Sequence, residues 1–352
     1  MITKIKSNIK GPINQTFDSS YVAFIGDNGA GKSSYVHSLE LALFSQAFDA
    51  SNKDVRQKAR LNMMTASGDQ YSGYDDGVYS IATIDGDKDE LFSRPTGYLN
   101  ALQMASTAMA GGTMALIKFI FAYTDTNLDH ANVRHPNWDE IVRRCRSTSN
   151  ALITLEPVVS KNQRHYREEL KEYKIVLKHL NSGLLAGVEA KGEIRRSTLA
   201  HIGAEAIEKV EQCKAALSDI RREMLACLRA VAPRLEKDMV RYIPDGMGKP
   251  EFIFNKNEVY LAFEGRPFPS GAETVCLAAA LAAVLLPLER SIFIYPDRAY
   301  DRQTLGKIMR VARTIPAQGV YLQCTEQPAG YDAEALGWQM IRIDSRTNSV
   351  QT

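Results

Sequence analysis

The chain has 352 residues, 45% of them apolar and 24% charged, with a net charge of +2, which is the composition of a folded protein with an ample core. That length holds one large domain or two ordinary ones, and so even a charge balance does not by itself argue for a nucleic-acid partner. Its five cysteines (Cys145, Cys213, Cys227, Cys276, Cys324) are odd in number, scattered and free of C-x-x-C spacing, which excludes a disulfide framework or zinc ribbon and fits a reducing cytoplasm.

The first residues, Met1 to Lys6, lack the apolar core of a secretion leader. Ile2, Ile5 and Ile9 predict an irregular strand before the Gly11-Pro12 turn. Tyr21 to Ile25 is an apolar run of strand length. It leads straight into Gly26-Asp27-Asn28-Gly29-Ala30-Gly31-Lys32-Ser33, which reads G-x-x-x-x-G-K-S, and then from Ser34 to about Phe48 into a helical pattern. In that strand–loop–helix context, glycines let backbone N–H groups converge on an anion, and the helix N-terminus adds the positive end of its dipole. Lys32 would reach the β- and γ-phosphates of a nucleotide, and the Ser33 hydroxyl would ligate Mg²⁺.

From Asp49 to Gly73 the chain is polar and reads as loop. Val78–Ile84 and Glu90–Arg94 around Asp85-Gly86-Asp87 read as a hairpin. Asp85 is a competing position for the carboxylate that partners a phosphate loop, but the tight turn after it argues against that. Leu99–Ala122 and Trp138–Leu152 read as helices.

Between residues 157 and 243 the pattern changes. Val159, Gln163, Tyr166, Leu170, Tyr173, Leu177 and Leu180 alternate by four and three, a heptad seam. Breaks at Asn181-Ser182-Gly183 and Gly187–Gly192 precede a second seam: Leu199, Ile202, Ala206, Val210, Cys213, Leu217, Ile220, Met224, Cys227 and Val231. An extra four-residue step between Ala206 and Val210 is a stutter. Two seams around a glycine-containing break predict an antiparallel helical hairpin of roughly 35–55 Å at about 1.5 Å per residue. Residues 161–243 carry 17 Lys and Arg against 12 Asp and Glu, and Arg143-Arg144-Cys145-Arg146 and Arg195-Arg196 are local basic clusters.

After Pro244-Asp245-Gly246 come a strand pair around Asn255–Asn257, a Gly/Pro-rich loop and a long apolar helix over Val275–Leu286, too short to cross a bilayer. A strand at Ser291–Tyr295, a helix at Arg302–Thr314 and strands at Gly319–Cys324 and Met340–Ile343 follow. Alternating strands and helices predict an α/β fold, a mixed and parallel sheet with flanking helices. The expected organisation is an N-terminal lobe over residues 1–155, a helical arm over 156–243 and a C-terminal lobe over 244–352.

This layout resembles the ATPase heads of the SMC, RecF and RecN superfamily, a branch of the ABC-type ATPases. The resemblance rests on Asn8-Ile9-Lys10-Gly11, on Ile25 through Ser34, on the interrupting helical hairpin and on Val259–Leu286. It implies a two-lobed ABC-type head that binds ATP and Mg²⁺. Pro269-Ser270-Gly271-Ala272-Glu273 stands where the family has a signature loop, S-G-G-E or S-G-G-Q. By resemblance, Ser270 would reach the γ-phosphate of ATP held by an opposing head, so a homodimer closed over ATP is implied. Ala272 replaces the family's second glycine.

Further positions depart from the family pattern. Aligned on Pro296 and Asp301, Ile294 and Tyr295 stand at the Walker B Asp-Glu positions, and neither can hold Mg²⁺ or polarise water. A small register shift makes Asp297 the metal partner, with Arg298 where a catalytic glutamate would stand, and Asp301 matches the D-loop aspartate. Thr325-Glu326 follows the strand that a switch histidine should end. Gln103 is the candidate for the Q-loop glutamine. The resemblance therefore implies ATP binding with slow or partner-dependent hydrolysis, and DNA as a partner in recombination, repair or replication. The departures leave open a second reading, an ATP-gated regulatory subunit that controls a partner nuclease, as in anti-phage defence.

Overall fold

The computed structural model describes residues 2–7, 13–44, 59–65, 70–75, 80–84, 99–181, 189–296, 300–325, 334, 337–343 and 350–351. In chain order, the first half holds β1 (Ile2–Ser7), β2 (Ile13–Thr16), β3 (Tyr21–Ile25), α1 (Lys32–Phe44), β4 (Ala59–Thr65), β5 (Gln70–Asp75), β6 (Ser80–Ile84), β7 (Leu99–Asn100), α2 (Ala101–Ala110), α3 (Gly112–Phe121), α4 (Trp138–Cys145) and α5 (Thr148–Asn181). The second half holds α6 (Glu189–Met239), β8 (Pro250–Asn255), β9 (Glu258–Phe263), α7 (Gly271–Leu285), β10 (Ser291–Tyr295), α8 (Arg302–Ala312), β11 (Gly319–Cys324), β12 (Gln339–Ile343) and β13 (Val350–Gln351). The fold is α/β. Two compact units separate, one comprising Met1–Leu116, Arg234–Ile253 and Tyr260–Thr352, the other Ile117–Pro233 and Phe254–Val259.

The first unit contains two sheets. One is antiparallel, in the order β2-β1-β4-β5-β6; the other runs β13-β12-β3-β11-β10-β7 and is parallel apart from β13. Helix α1 packs against β1, β4 and β5 of the first sheet and against β11 of the second. Its Tyr35, Val36 and Leu39 close a core with Val22 and Phe24 of β3, Ile292 and Ile294 of β10, Tyr321 of β11 and Ile341 of β12. The Phe24 ring stacks on Tyr321 at 6.4 Å between centroids and meets Tyr35 at 5.1 Å. Strands β3, β10 and β11 are buried along their whole length, which is why they read as continuous apolar runs rather than alternating ones. Helix α7 is buried from Val275 to Ala283, which its all-round apolar composition requires.

Several expectations need correction. The polar stretch from Asp49 to Gly73 is not all loop, because β4 lies within it and β5 begins there. The helix expected over Leu99–Ala122 is two helices divided at Gly111-Gly112, where Gly112 has φ +77°. The one expected over Trp138–Leu152 ends at Arg146, in the left-handed region at φ +61°, and a new helix starts with the Ser147 hydroxyl accepting from the Asn150 amide at 3.2 Å. Helix α6 already spans Gly192, which was expected to break it. Of the expected hairpin, Ser80–Ile84 is a strand, while Asp85 and Glu90–Arg94 lie outside the described residues.

In the second unit α5 and α6 run antiparallel. Tyr166 lies under the Lys209 ammonium, 5.3 Å from the ring centroid, while the later Tyr173 ring covers the earlier Gly203. On α5, Val159 is buried, and Gln163, Tyr166, Leu170, Tyr173 and Leu177 are partly buried between exposed neighbours, as the heptad seam requires. On α6 the inward series includes Ala206, Val210, Cys213, Ile220, Met224 and Cys227. Ile202 is not part of it: the side chain is 48% exposed, and Gly203 takes the seam position, its missing side chain leaving room for Tyr173. The side chains of Leu180 and Leu199 lie outside those described. No helix among the described residues is long and apolar enough to cross a membrane.

Candidate functional site

Strand β3 delivers Gly26 to the end of the parallel sheet, and the chain then turns tightly into α1. The Gly26 amide donates to the Cys324 carbonyl of β11 at 3.2 Å. A Cβ on Gly26 would stand 2.5 Å from the Ile343 carbonyl oxygen of β12, so only glycine fits between these strand ends. Gly29 and Gly31 have φ +87° and +104°, a backbone that disfavours side chains. The Ala30 amide closes the turn onto the Asp27 carbonyl at 3.1 Å.

Lys32, 2% exposed, folds back over this loop, where its ammonium donates to the carbonyls of Gly26 at 2.8 Å and Asp27 at 3.0 Å. One positive charge is therefore held inside the ring of the loop, at the positive end of the 13-residue α1. Asp27, Asn28 and Gly29 are exposed, while Ser34 is buried and its carbonyl accepts from Ser38 Oγ at 2.6 Å. The arrangement offers a cation and a helix N-terminus to an anion approaching the end of the sheet.

Ser33 reveals a partner that sequence reading missed. Its hydroxyl donates to Gln323 Oε1 of β11 at 3.3 Å, and Gln323 is 5% exposed. Strand β11 lies between β3 and β10, with Gln323 opposite Phe24. Side chains alternate along a strand, so Gln323 shares the α1 face with Tyr321. The available signal was a polar residue in a strand otherwise fit for full burial.

The described residues among those expected to complete the site lie on β10, at the start of α8 and in α2. Ile294 is a core residue 8% exposed, opposite Tyr321 and deeper in the sheet than Gln323. Tyr295 is buried, and burial, with Cys276 and Tyr300 nearby, holds its phenol well above the usual value, so it stays protonated. Asp297, Arg298 and Glu326 lie outside the described residues. Asp301 caps α8, accepting from the Thr304 amide at 2.9 Å and its hydroxyl at 2.5 Å, bonds that lower its carboxyl pKa. Gln103 is the third residue of α2; its side-chain oxygen accepts from Asn100 Nδ2 at 2.9 Å, and its amide donates to Asn100 Oδ1 at 3.3 Å. Asp301 is thus the N-cap of α8, and Gln103 is tied to Asn100, the N-cap of α2.

Ser270 caps α7. Its hydroxyl accepts from the Glu273 amide at 3.3 Å while Glu273 Oε2 accepts from the Ser270 amide at 2.7 Å, a complete capping box. The other Glu273 oxygen pairs with Arg266, whose guanidinium lies 5.2 Å from the Phe263 ring centroid. Gly271 and Ala272 open the helix, so Ala272 occupies an ordinary helical position. Ser270 and Gly271 are exposed, and Phe268 beside them is 90% exposed.

Among the described residues no cluster of three or more His, Cys, Asp or Glu can hold a metal ion. Among the described residues, Ser33 Oγ and Gln323 Oε1 are two neutral hard donors beside the loop. They suit Mg²⁺ bound chiefly through nucleotide phosphates and water.

No protein-family model and no curated protein matches the chain. Among solved structures it is similar to an SMC head domain with an extended coiled coil, bound to the C-terminal domain of ScpA and derived from Pyrococcus furiosus, at 13% identity over 99% of this chain and 95% of that one, with a TM-score of 0.46. It is also similar to the recombination mediator protein RecF with ATP (13% identity, 99% and 96% of the two chains, TM-score 0.42). An SMC head bound to the C-winged-helix domain of ScpA matches at 10% identity over 99% and 96%, with a TM-score of 0.44. At scores this low, the functional reading stands on the site's own geometry.

Proposed function

We propose that the chain binds ATP with Mg²⁺ at Gly26–Ser34 and acts as an SMC/RecF-like head. Its copies would pair over ATP through Ser270–Glu273 and act on DNA in recombination, repair or replication. The observation that supports nucleotide binding is the loop itself: a buried Lys32 ammonium held by the Gly26 and Asp27 carbonyls, between left-handed glycines and the start of α1. Bound Mg²⁺ would neutralise phosphate charge. Lys32 would move its proton-bearing nitrogen from loop carbonyls to phosphate oxygens, and Ser33 would turn its oxygen to the cation. The test is ATP affinity of the parent protein and of Lys32→Ala; equal affinities would remove the assignment.

The second reading, an ATP-gated regulatory subunit of a partner nuclease, is favoured by one observation. The side chains of Ile294 and Tyr295, at the expected carboxylate positions, are buried and uncharged. Hydrolysis needs a positioned water and a base. With Asp297 as the candidate carboxylate there, the head would turn ATP over slowly and use it chiefly as a latch. Duplex DNA that binds at low salt and alters turnover supports the first reading; DNA that does neither supports the second.

A further inference from the structure

The Ser33 hydroxyl has one proton to donate and two lone pairs. It donates that proton to Gln323 Oε1, which leaves the lone pairs on Oγ for a cation. Ordinarily a carboxylate on the strand bearing the apolar run would take this proton and share the cation's water shell. Here Ile294 has no carboxylate, and by the parallel register it stands opposite Tyr321, two residues below Gln323 and about 6.6 Å deeper along the sheet. Tyr295 follows on the opposite face of β10 and is buried. Gln323 is at the level of the strand end and on the α1 face, and it already bonds Ser33.

We propose that Gln323 is the positioning residue for the Ser33 hydroxyl and the metal's water shell, a neutral carboxamide oxygen beside the metal–nucleotide pair. The inference rests on the ATP-binding reading above and deepens it. A carboxamide adds no negative charge beside the phosphates. The parent protein therefore binds ATP in the absence of divalent metal with only modest loss, and Mg²⁺ adds affinity through Ser33 and Gln323.

The experiment is fluorescence titration of a methylanthraniloyl ATP analogue, with Mg²⁺ and with EDTA, on the parent, Gln323→Ala, Gln323→Glu and Lys32→Ala, each first shown folded by circular dichroism. Gln323→Ala should need about ten- to a hundredfold more Mg²⁺ for the same gain in affinity, the usual cost of removing an outer-shell partner, while its binding in EDTA stays within about twofold of the parent. Gln323→Glu should move the opposite way, binding Mg²⁺ more tightly and losing affinity in EDTA as its carboxylate meets the phosphates. If both variants change binding equally with and without Mg²⁺, or not at all, Gln323 is a packing residue and the inference falls while the nucleotide assignment stands. If the parent itself takes up no analogue, or Lys32→Ala binds as well as the parent, the underlying reading falls and this one with it.

Discussion

Gly26→Ala tests whether the glycine that follows β3 is fixed by the sheet rather than by its backbone angles. The added Cβ would meet the Ile343 carbonyl oxygen at 2.5 Å and Ala30 Cβ at 3.2 Å, where ordinary contact begins at 3.4 Å. The first obstacle is backbone, and Arg342 of the same strand is paired with Ile25, so β12 cannot yield without loosening the ladder. Overpacking of this kind costs about 1–3 kcal/mol. At about 2–4 °C per kcal/mol for a domain of this size, thermal melting of the parent should fall by roughly 3–10 °C. Gly29 is the control: a Cβ there meets nothing within 4 Å, but φ is +87°. Gly29→Ala should cost about 1–2 kcal/mol, and Gly29→Asn less, because asparagine tolerates the left-handed region. Gly26→Asn should do no better than Gly26→Ala. A Gly26→Ala protein that melts within 1 °C of the parent, or recovery by asparagine at Gly26, would refute the steric account.

Two further outcomes are expected. Asp219, its side chain 3% exposed, accepts from Arg134 Nε at 2.7 Å, Arg134 Nη2 at 3.0 Å and Arg222 Nη1 at 3.1 Å, bonds that hold its carboxyl below the usual range. Asp219→Ala should destabilise the helical unit by about 1.5–3 kcal/mol in urea melts. Because the folded carboxyl pKa is the lower one, this contribution is complete above the unfolded value of about 3.9 and disappears as pH falls through the folded value; a variant whose acid sensitivity matches the parent's would contradict it. Ser270→Arg should abolish ATP-dependent self-association in light scattering without weakening nucleotide affinity, since Ser270 is exposed and caps its own helix. ATP-driven pairing that survives it would dismiss the signature-loop reading.

Legibility in the sequence followed how local each signal was. The turn at Gly26–Ser33 between β3 and α1 was readable because its strand, glycines and helix start are written in adjacent residues, and β3, β10 and α7 because full burial demands unbroken apolar runs. Strands β4 and β5 were passed over: the alternation in ARLNMMT is short and breaks at Met63-Met64, QYSGYD has no regular alternation, and both pair with antiparallel neighbours. The division at Arg146 was hidden because a left-handed arginine has no composition signature. Periodicity weighs side chains and so puts Ile202 in the seam over Gly203, whereas here the Tyr173 ring of α5 fills the space. Gln323 depended on strand order, since only the placement of β11 beside β3 brings residues 33 and 323 together.

The central claim is that Lys32 exchanges loop carbonyls for nucleotide phosphates. Isothermal titration of ATP with Mg²⁺ into the parent and into a folded Lys32→Ala protein tests it most directly. Loss of charge-assisted hydrogen bonds worth about 1.5–3 kcal/mol predicts affinity roughly 10- to 150-fold weaker in the variant. Equal affinities in the two proteins, or a parent that releases no heat and takes up no ATP, would contradict it.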